Sequence, residues 1–90
     1  MTQHALPGAD IVEQGLADLR DGIDSVPALL VSIGAPRLRS LGFEVGAALE
    51  NAERRLYERL AAADADAAHS RYNALVRRLV SFERAAACVR

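Results

Sequence analysis

The chain has 90 residues, of which 51% are hydrophobic and only 4% aromatic, and it carries a net charge of −1. This length corresponds to one domain, and a net charge so close to zero excludes strong non-specific attraction of the whole chain to nucleic acid. All basic residues are arginine, which we attribute to a GC-rich coding sequence.

Residues 1–8 are predicted to form a flexible leader, and residues 9–90 a single helical bundle domain. The first predicted helix covers about residues 9–33, because apolar residues recur there at alternating steps of four and three. Its stripe consists of Val12, Leu16, Leu19, Ile23, Val26, Leu30 and Ile33. Pro27 removes a backbone donor, but the stripe keeps its phase, so we predict one helix kinked at Pro27. In the alternative, the helix ends near Asp24 and a second one starts with Pro27 in its first turn.

Gly34 and Pro36 predict the end of the first helix, and residues 37–42 are predicted to be a connector, with one short helical turn as the alternative. A second helix is predicted over about residues 43–63 and a third over about residues 66–88. Their apolar stripes are out of phase, so the pattern favours a break between Ala61 and Asp66 over one long helix. Asp64 or Asp66 would cap the new helix.

Three patterned helices with short connections predict an all-α fold, an antiparallel three-helix up-down-up bundle. Further apolar residues flank these stripes, and a single chain of this size is not expected to bury all of them. We therefore predict that dimerisation completes the bundle. The flanking residues are Ile11, Leu29, Val76 and Val80. The predicted core side chains are Leu16, Leu19, Ile23, Leu30, Leu56, Leu75, Leu79 and Phe82. Leu→Ala at Leu75 or Leu79 is expected to cost about 2–5 kcal/mol.

Charge is distributed unevenly along the chain. Residues 1–30 contain one arginine against five acidic residues, a net charge of −4, and residues 71–90 contain five arginines against one glutamate, a net charge of +4. Guanidinium groups bind carboxylates and phosphates. The arginines of the last helix and of the connector therefore form the candidate interaction surface. They are Arg71, Arg77, Arg78, Arg84, Arg37 and Arg39.

The chain offers few residues for catalysis. Asp66, His69 and Ser70 share one helical turn and do not give the convergent geometry of a Ser-His-Asp triad. Histidine phosphotransfer modules usually place a Lys and a Gly soon after their His, and neither follows His69. We therefore expect no enzyme activity, no metal, no cofactor and no small-molecule substrate. Cys88 is the one cysteine; we expect it to be buried, and the alternative is an intermolecular disulfide. We expect the protein to be cytoplasmic, with no membrane-spanning segment.

These observations favour a small non-enzymatic protein–protein interaction module, such as an adaptor, chaperone or regulatory subunit. Its expected partners are a second copy of itself and another protein. The alternative is a nucleic-acid-binding regulator. It would use the arginines of the last helix or residues 26–46, whose pattern is similar to a helix-turn-helix.

Overall fold

In a computed structural model, which describes residues 6–89, those residues fold into five α-helices and contain no strand. Residues 1–5 of the predicted leader lie outside the described part. The helices are α1 (Ala9–Arg20), α2 (Val26–Ile33), α3 (Ala35–Ser40), α4 (Ala52–Ala63) and α5 (Ala68–Val89). The radius of gyration is 12.6 Å, close to the value of about 12 Å expected for a folded chain of this length. The all-α class predicted from the sequence is confirmed. The described part has five helices where three were predicted.

The first predicted helix is two helices joined by a turn, so the prediction of one helix kinked at Pro27 is corrected. Gly22 adopts a left-handed backbone with φ 72°, and the Ile23 amide donates to the Asp18 carbonyl at 2.7 Å. Ser25 then caps the start of α2, because its hydroxyl accepts a hydrogen bond from the Ala28 amide at 3.1 Å. Pro27 lies in the first turn of α2, where a helix needs no donor.

The turn between α1 and α2 is fastened by a nearly buried carboxylate. Asp18 accepts hydrogen bonds from the Ser25 hydroxyl at 2.6 Å and from the Gln14 side-chain amide at 2.8 Å. The same Ser25 hydroxyl therefore links the end of α1 to the start of α2. Because α2 turns back onto α1, Ile23 leaves the stripe and is 48% exposed, contrary to its predicted place in the core.

α2 occupies the centre of the fold and contacts α1, α4 and α5. Five consecutive residues of this helix, 28–32, are buried. A helix that is apolar around its whole circumference is typical of a buried position, and the composition of α2 fits that position. Leu29, predicted as an uncovered edge, is completely buried within one chain.

The predicted connector after Gly34 is partly helical. Pro36 follows the end of α2 at Ile33, as predicted, and it also lies in the first turn of α3. Leu38 and Leu41 are both buried.

The second predicted helix begins nine residues later than expected, at Ala52 instead of Phe43. Residues 43–51 form an irregular segment, called the strap below, whose apolar side chains pack against the core. The Leu49 amide donates to the Ser32 hydroxyl at 2.9 Å, and the Phe43 ring packs against Phe82 with centroids 5.4 Å apart. These long-range contacts outweigh the local preference for helix.

The strap ends at Asn51, which has φ 54° and is the one non-glycine residue with positive φ among residues 6–89. A side chain with a Cβ is disfavoured in this conformation, and asparagine tolerates it better than alanine does. We expect Asn51→Ala to be less stable than Asn51→Gly by about 1 kcal/mol. Thermal denaturation of both variants, with Glu50→Ala as the neighbouring control, measures this difference. Equal melting temperatures would contradict the left-handed conformation of Asn51.

The break predicted between Ala61 and Asp66 is confirmed, because α4 ends at Ala63 and α5 begins at Ala68. The Asp64 carboxylate accepts hydrogen bonds from the amides of Asp66 and Ala67 at 3.1 and 3.3 Å, as a capping residue does. Tyr57 and Tyr72 pack across the two helices, with ring centroids 5.7 Å apart.

Most of the predicted core residues are buried. The exceptions are Ile23 in the α1–α2 turn, which is exposed, and two leucines that are only partly buried. Leu16 and Leu75 are partly buried and pack against the core. The predicted residues that are buried are Leu19, Leu30, Leu56, Leu79 and Phe82.

Candidate interaction surface

α5 is the longest helix of the described residues, with 22 residues, and it is about 33 Å long at 1.5 Å per residue. Its inner side buries Ala68, Leu79, Phe82 and Ala86. Because an α-helix turns once every 3.6 residues, the opposite side of α5 faces solvent along its whole length. The candidate surface lies on that side.

Six exposed residues form a continuous line on the outer side of α5, which we call the outer seam. They follow one another at steps of four, three, four, three and four, so they share one helix face. The outer seam consists of Ser70, Ala74, Arg77, Ser81, Arg84 and Cys88. Four of these six side chains are small, and the two large ones are arginines.

The four predicted arginines of α5 are exposed but do not all lie on one face. Arg77 and Arg84 belong to the outer seam, whereas Arg71 and Arg78 lie on one flank of it. Within residues 6–89, the side chains of Arg71, Arg77 and Arg84 form no hydrogen bond or ion pair. The seam therefore keeps two guanidinium groups available for a partner.

Arg78 forms an ion pair with another residue of the same chain. It donates to the Asp10 carboxylate at 2.8 Å and thus joins the start of α1 to α5. Two hydrogen bonds to its carboxylate lower the pKa of Asp10. The bond from the Ile11 amide has the largest effect, and the bond from Arg78 has the next largest. Both side chains are well exposed, so this pair contributes little to stability.

A second acidic residue of the N-terminal region, Asp24, forms ion pairs with α4. Asp24 contacts both Arg55 and Arg59, and Arg59 also donates to the Asp24 backbone carbonyl at 3.1 Å. Asp24 therefore holds the α1–α2 turn against α4. This pairing leaves the charge of the outer seam unneutralised.

Arg37 and Arg39, the remaining predicted site residues, lie on α3 and are exposed. Arg39 donates to the Gly46 carbonyl at 3.0 Å and thereby holds the strap. Arg37 lies close enough to Glu83 to favour its charged form. Neither residue belongs to the outer seam.

The helix-turn-helix interpretation of residues 26–46 is not supported by this geometry. Its proposed reading helix starts at Phe43, where the structure has the strap, and α3 is only six residues long. A recognition helix must present several side chains to base edges in the major groove. Residues 26–46 provide no such helix.

Glu83 is the one acidic residue of α5, and it is half-buried beside Gly34, away from the outer seam. Burial raises the pKa of Glu83, and the nearby Arg37 opposes that rise. The folded protein therefore binds this proton more tightly than the unfolded chain does. It follows that the charged carboxylate destabilises the fold once the pH rises through this raised pKa.

We expect Glu83→Gln to raise the melting temperature at neutral pH, because glutamine avoids burying a charge. The gain should shrink as the pH falls, and it should vanish below the unfolded pKa of about 4.3, where Glu83 is protonated in both states. Melting curves at several pH values measure this dependence. The exposed Glu58→Gln controls for the loss of one negative charge, and a gain independent of pH would contradict the burial effect.

His69 and Cys88 are both exposed. The prediction that Cys88 is buried is therefore wrong, because its position in α5 lies opposite the core. The His69 Nε2 atom is 3.2 Å from the Asn73 side-chain nitrogen, a contact along the helix and not one to Ser70 or Asp66. No group of three or more metal-binding side chains is found within residues 6–89.

A shallow groove of about 600 Å³ lies between α1 and the strap. Its lining residues are Leu16, Leu19, Arg20, Glu44, Val45, Gly46 and Ala47. Sequence reasoning missed this groove because it placed residues 43–51 in a helix. Gly46 within that stretch and Gly42 just before it were the available indication of irregular backbone.

No protein-family model, curated protein or solved structure matches this chain. Of the five described helices, none combines the length and the apolar character that crossing a bilayer requires.

Proposed function

We propose that this protein is a small non-enzymatic helical module that binds another protein through the outer seam of α5. It would serve as an adaptor, chaperone or regulatory subunit. The observation that carries the proposal is the pair Arg77 and Arg84, exposed on one helix face and without ion pairs among residues 6–89. A cytoplasmic location belongs to the same proposal, because a single cysteine suits a reducing compartment.

The fold supports this function by presenting one side of α5 to solvent while the other side packs in the core. One side of α5 is anchored in the core through Leu79 and Phe82, so the outer seam does not need to order itself on binding. Preordered surfaces lose less conformational entropy when they bind. Small residues between the arginines allow a partner to approach the helix backbone closely.

Affinity purification of the tagged protein from its own cells, followed by direct binding measurements with the purified partner, tests this function. We expect R77E/R84E to weaken the partner's binding at least about tenfold, which is about 1.4 kcal/mol. The double variant R20E/R54E changes net charge equally on α1 and α4 and should bind normally. A partner that binds R77E/R84E as tightly as the wild type would refute the seam as the binding surface.

Nucleic acid binding is the second candidate, because the exposed arginines of α5 are a possible phosphate-binding face. The wild-type protein should nevertheless bind neither duplex nor single-stranded DNA or RNA at low salt, since only a few phosphates could be neutralised. Fluorescence polarisation measures this. Salt-dependent binding that is lost in R77E/R84E would favour nucleic acid over protein as the partner.

Homodimerisation, which the sequence predicts, stays a proposal. Three large apolar side chains remain exposed within residues 6–89, and each is a candidate contact for a second copy. They are Ile23, Tyr57 and Val89. Light scattering from micromolar to submillimolar concentration should give twice the chain mass of 9.7 kDa if dimers form. A constant mass of one chain would contradict the dimer.

A further inference from the structure

The partner's chemistry can be inferred from the spacing and charge of the outer seam. We propose that the seam binds an acidic α-helix whose Asp or Glu side chains recur every seven residues. This inference rests on the proposed function, because it names the kind of partner that the same surface takes. It commits to a protein helix and not to nucleic acid or a second copy of this chain.

The seam has the spacing of a coiled-coil contact face. Steps of four and three repeat every seven residues, which is the spacing at which two helices keep one edge in contact. Small residues occupy one set of seven-residue positions, namely Ala74, Ser81 and Cys88. The other set contains Ser70, Arg77 and Arg84. A second helix can therefore lie along α5 without displacing any side chain of the core.

Charge decides which helix fits. Arg77 and Arg84 are seven residues apart, so their Cα atoms are separated by about 10.5 Å along the axis. Carboxylates seven residues apart on a partner helix repeat at the same distance, so both arginines can be paired at once. Arg71 on the flank adds a third cation, and the outer seam itself contains no acidic residue.

A nucleic acid fits this surface less well than a helix does. Its attraction depends mainly on the number of phosphates neutralised, and the seam offers two arginines among four small side chains. The whole chain carries a net charge of −1, which gives no long-range attraction for a polyanion. Small side chains between the cations are, by contrast, what close packing of two helices requires.

A second copy of this chain is also a poor occupant. Two outer seams placed face to face would bring Arg77 and Arg84 of one copy against arginines of the other. Like charges across a helix pair are destabilising. The partner must therefore carry the opposite charge.

Fluorescence anisotropy with two labelled peptides tests this inference. Both peptides have the same length, the same helix-forming composition and the same number of glutamates. In one, the glutamates recur every seven residues on one face with alanine between them; in the other, they are distributed around the helix. Circular dichroism establishes that both peptides are equally helical. Poly-glutamate and duplex DNA of equal charge serve as further probes.

We expect the heptad peptide to bind the full-length protein at low ionic strength at least tenfold more tightly than the scrambled peptide, poly-glutamate or DNA. R77E/R84E should lose that preference, and R20E/R54E should keep it. Equal binding of both peptides would overturn the inference, as would tighter binding of DNA. If the cellular partner depends on the seam but the peptides do not discriminate, the helix inference fails and the proposed function stands.

Discussion

Phe82→Ala should destabilise the protein by about 3–5 kcal/mol, the cost of removing a completely buried aromatic side chain. Phe82 is fully buried in α5, and its ring packs against Phe43 of the strap. Aromatic pairs add about 0.5–1.5 kcal/mol beyond burial. A domain of this size has a total stability of roughly 5–15 kcal/mol, so the variant should lose much of its folded population.

Urea denaturation followed by circular dichroism measures the loss in Phe82→Ala. The matched comparison is Leu75→Ala in the same helix, where the side chain is only partly buried. Leu75→Ala should destabilise the protein less than Leu79→Ala. The latter removes a buried leucine side chain and is expected to cost about 2–5 kcal/mol. If Phe82→Ala unfolds at the same urea concentration as the wild type, Phe82 is not in the core.

Gly15→Ala is the second substitution with a large expected effect, and its direction opposes helix propensity. In an exposed helix this change stabilises by about 1 kcal/mol. Gly15 is buried in α1 where α2 crosses it, and a Cβ there would overlap the Pro27 carbonyl oxygen and a methyl group of Val31. We therefore expect a loss of about 1–3 kcal/mol from overpacking.

The melting temperature of Gly15→Ala measures this effect, since 1 kcal/mol shifts the melting temperature of such a domain by about 4–8 °C. Gly46→Ala is the matched control. A Cβ at Gly46 has its nearest neighbour, the Leu19 carbonyl oxygen, at 3.5 Å, an ordinary contact. A melting temperature for Gly15→Ala at or above that of the wild type would show that α1 and α2 are not in close contact there.

By sequence alone, Gly15 is a residue of low helix propensity within a predicted helix. The structure gives it a different role, because its missing side chain lets α2 fold back against α1. α2 is thereby placed in the centre, where it contacts α1, α4 and α5. One side of α5 packs against α1, α2 and α4, and the other side presents the outer seam.

The candidate surface was partly predictable. The exposed arginines of α5 follow from the helical period, since residues opposite the stripe of Leu79 and Phe82 must face solvent. Which of those arginines are available was not predictable. Arg78 pairs with Asp10, 68 residues earlier in the chain, and only the tertiary structure brings these two residues together.

Features that depend on neighbouring residues were determined by the sequence itself. The spacing of apolar residues indicated the all-α class and α5, and the capping carboxylate of Asp64 marked the break before it. These effects act within one or two helical turns, so a linear pattern contains them. The inward positions of Leu30, Leu56 and Phe82 follow from the same spacing.

Features that depend on competition between local and distant interactions were decided only by the tertiary structure. Residues 43–51 have a helical pattern, yet the bonds of Leu49 to Ser32 and of Arg39 to Gly46 hold them as the strap. The apolar stripe continues through the α1–α2 turn, yet Gly22 and the Ser25 cap end one helix and begin another. In both places, burying apolar surface against distant helices lowers the free energy more than one further helical turn would.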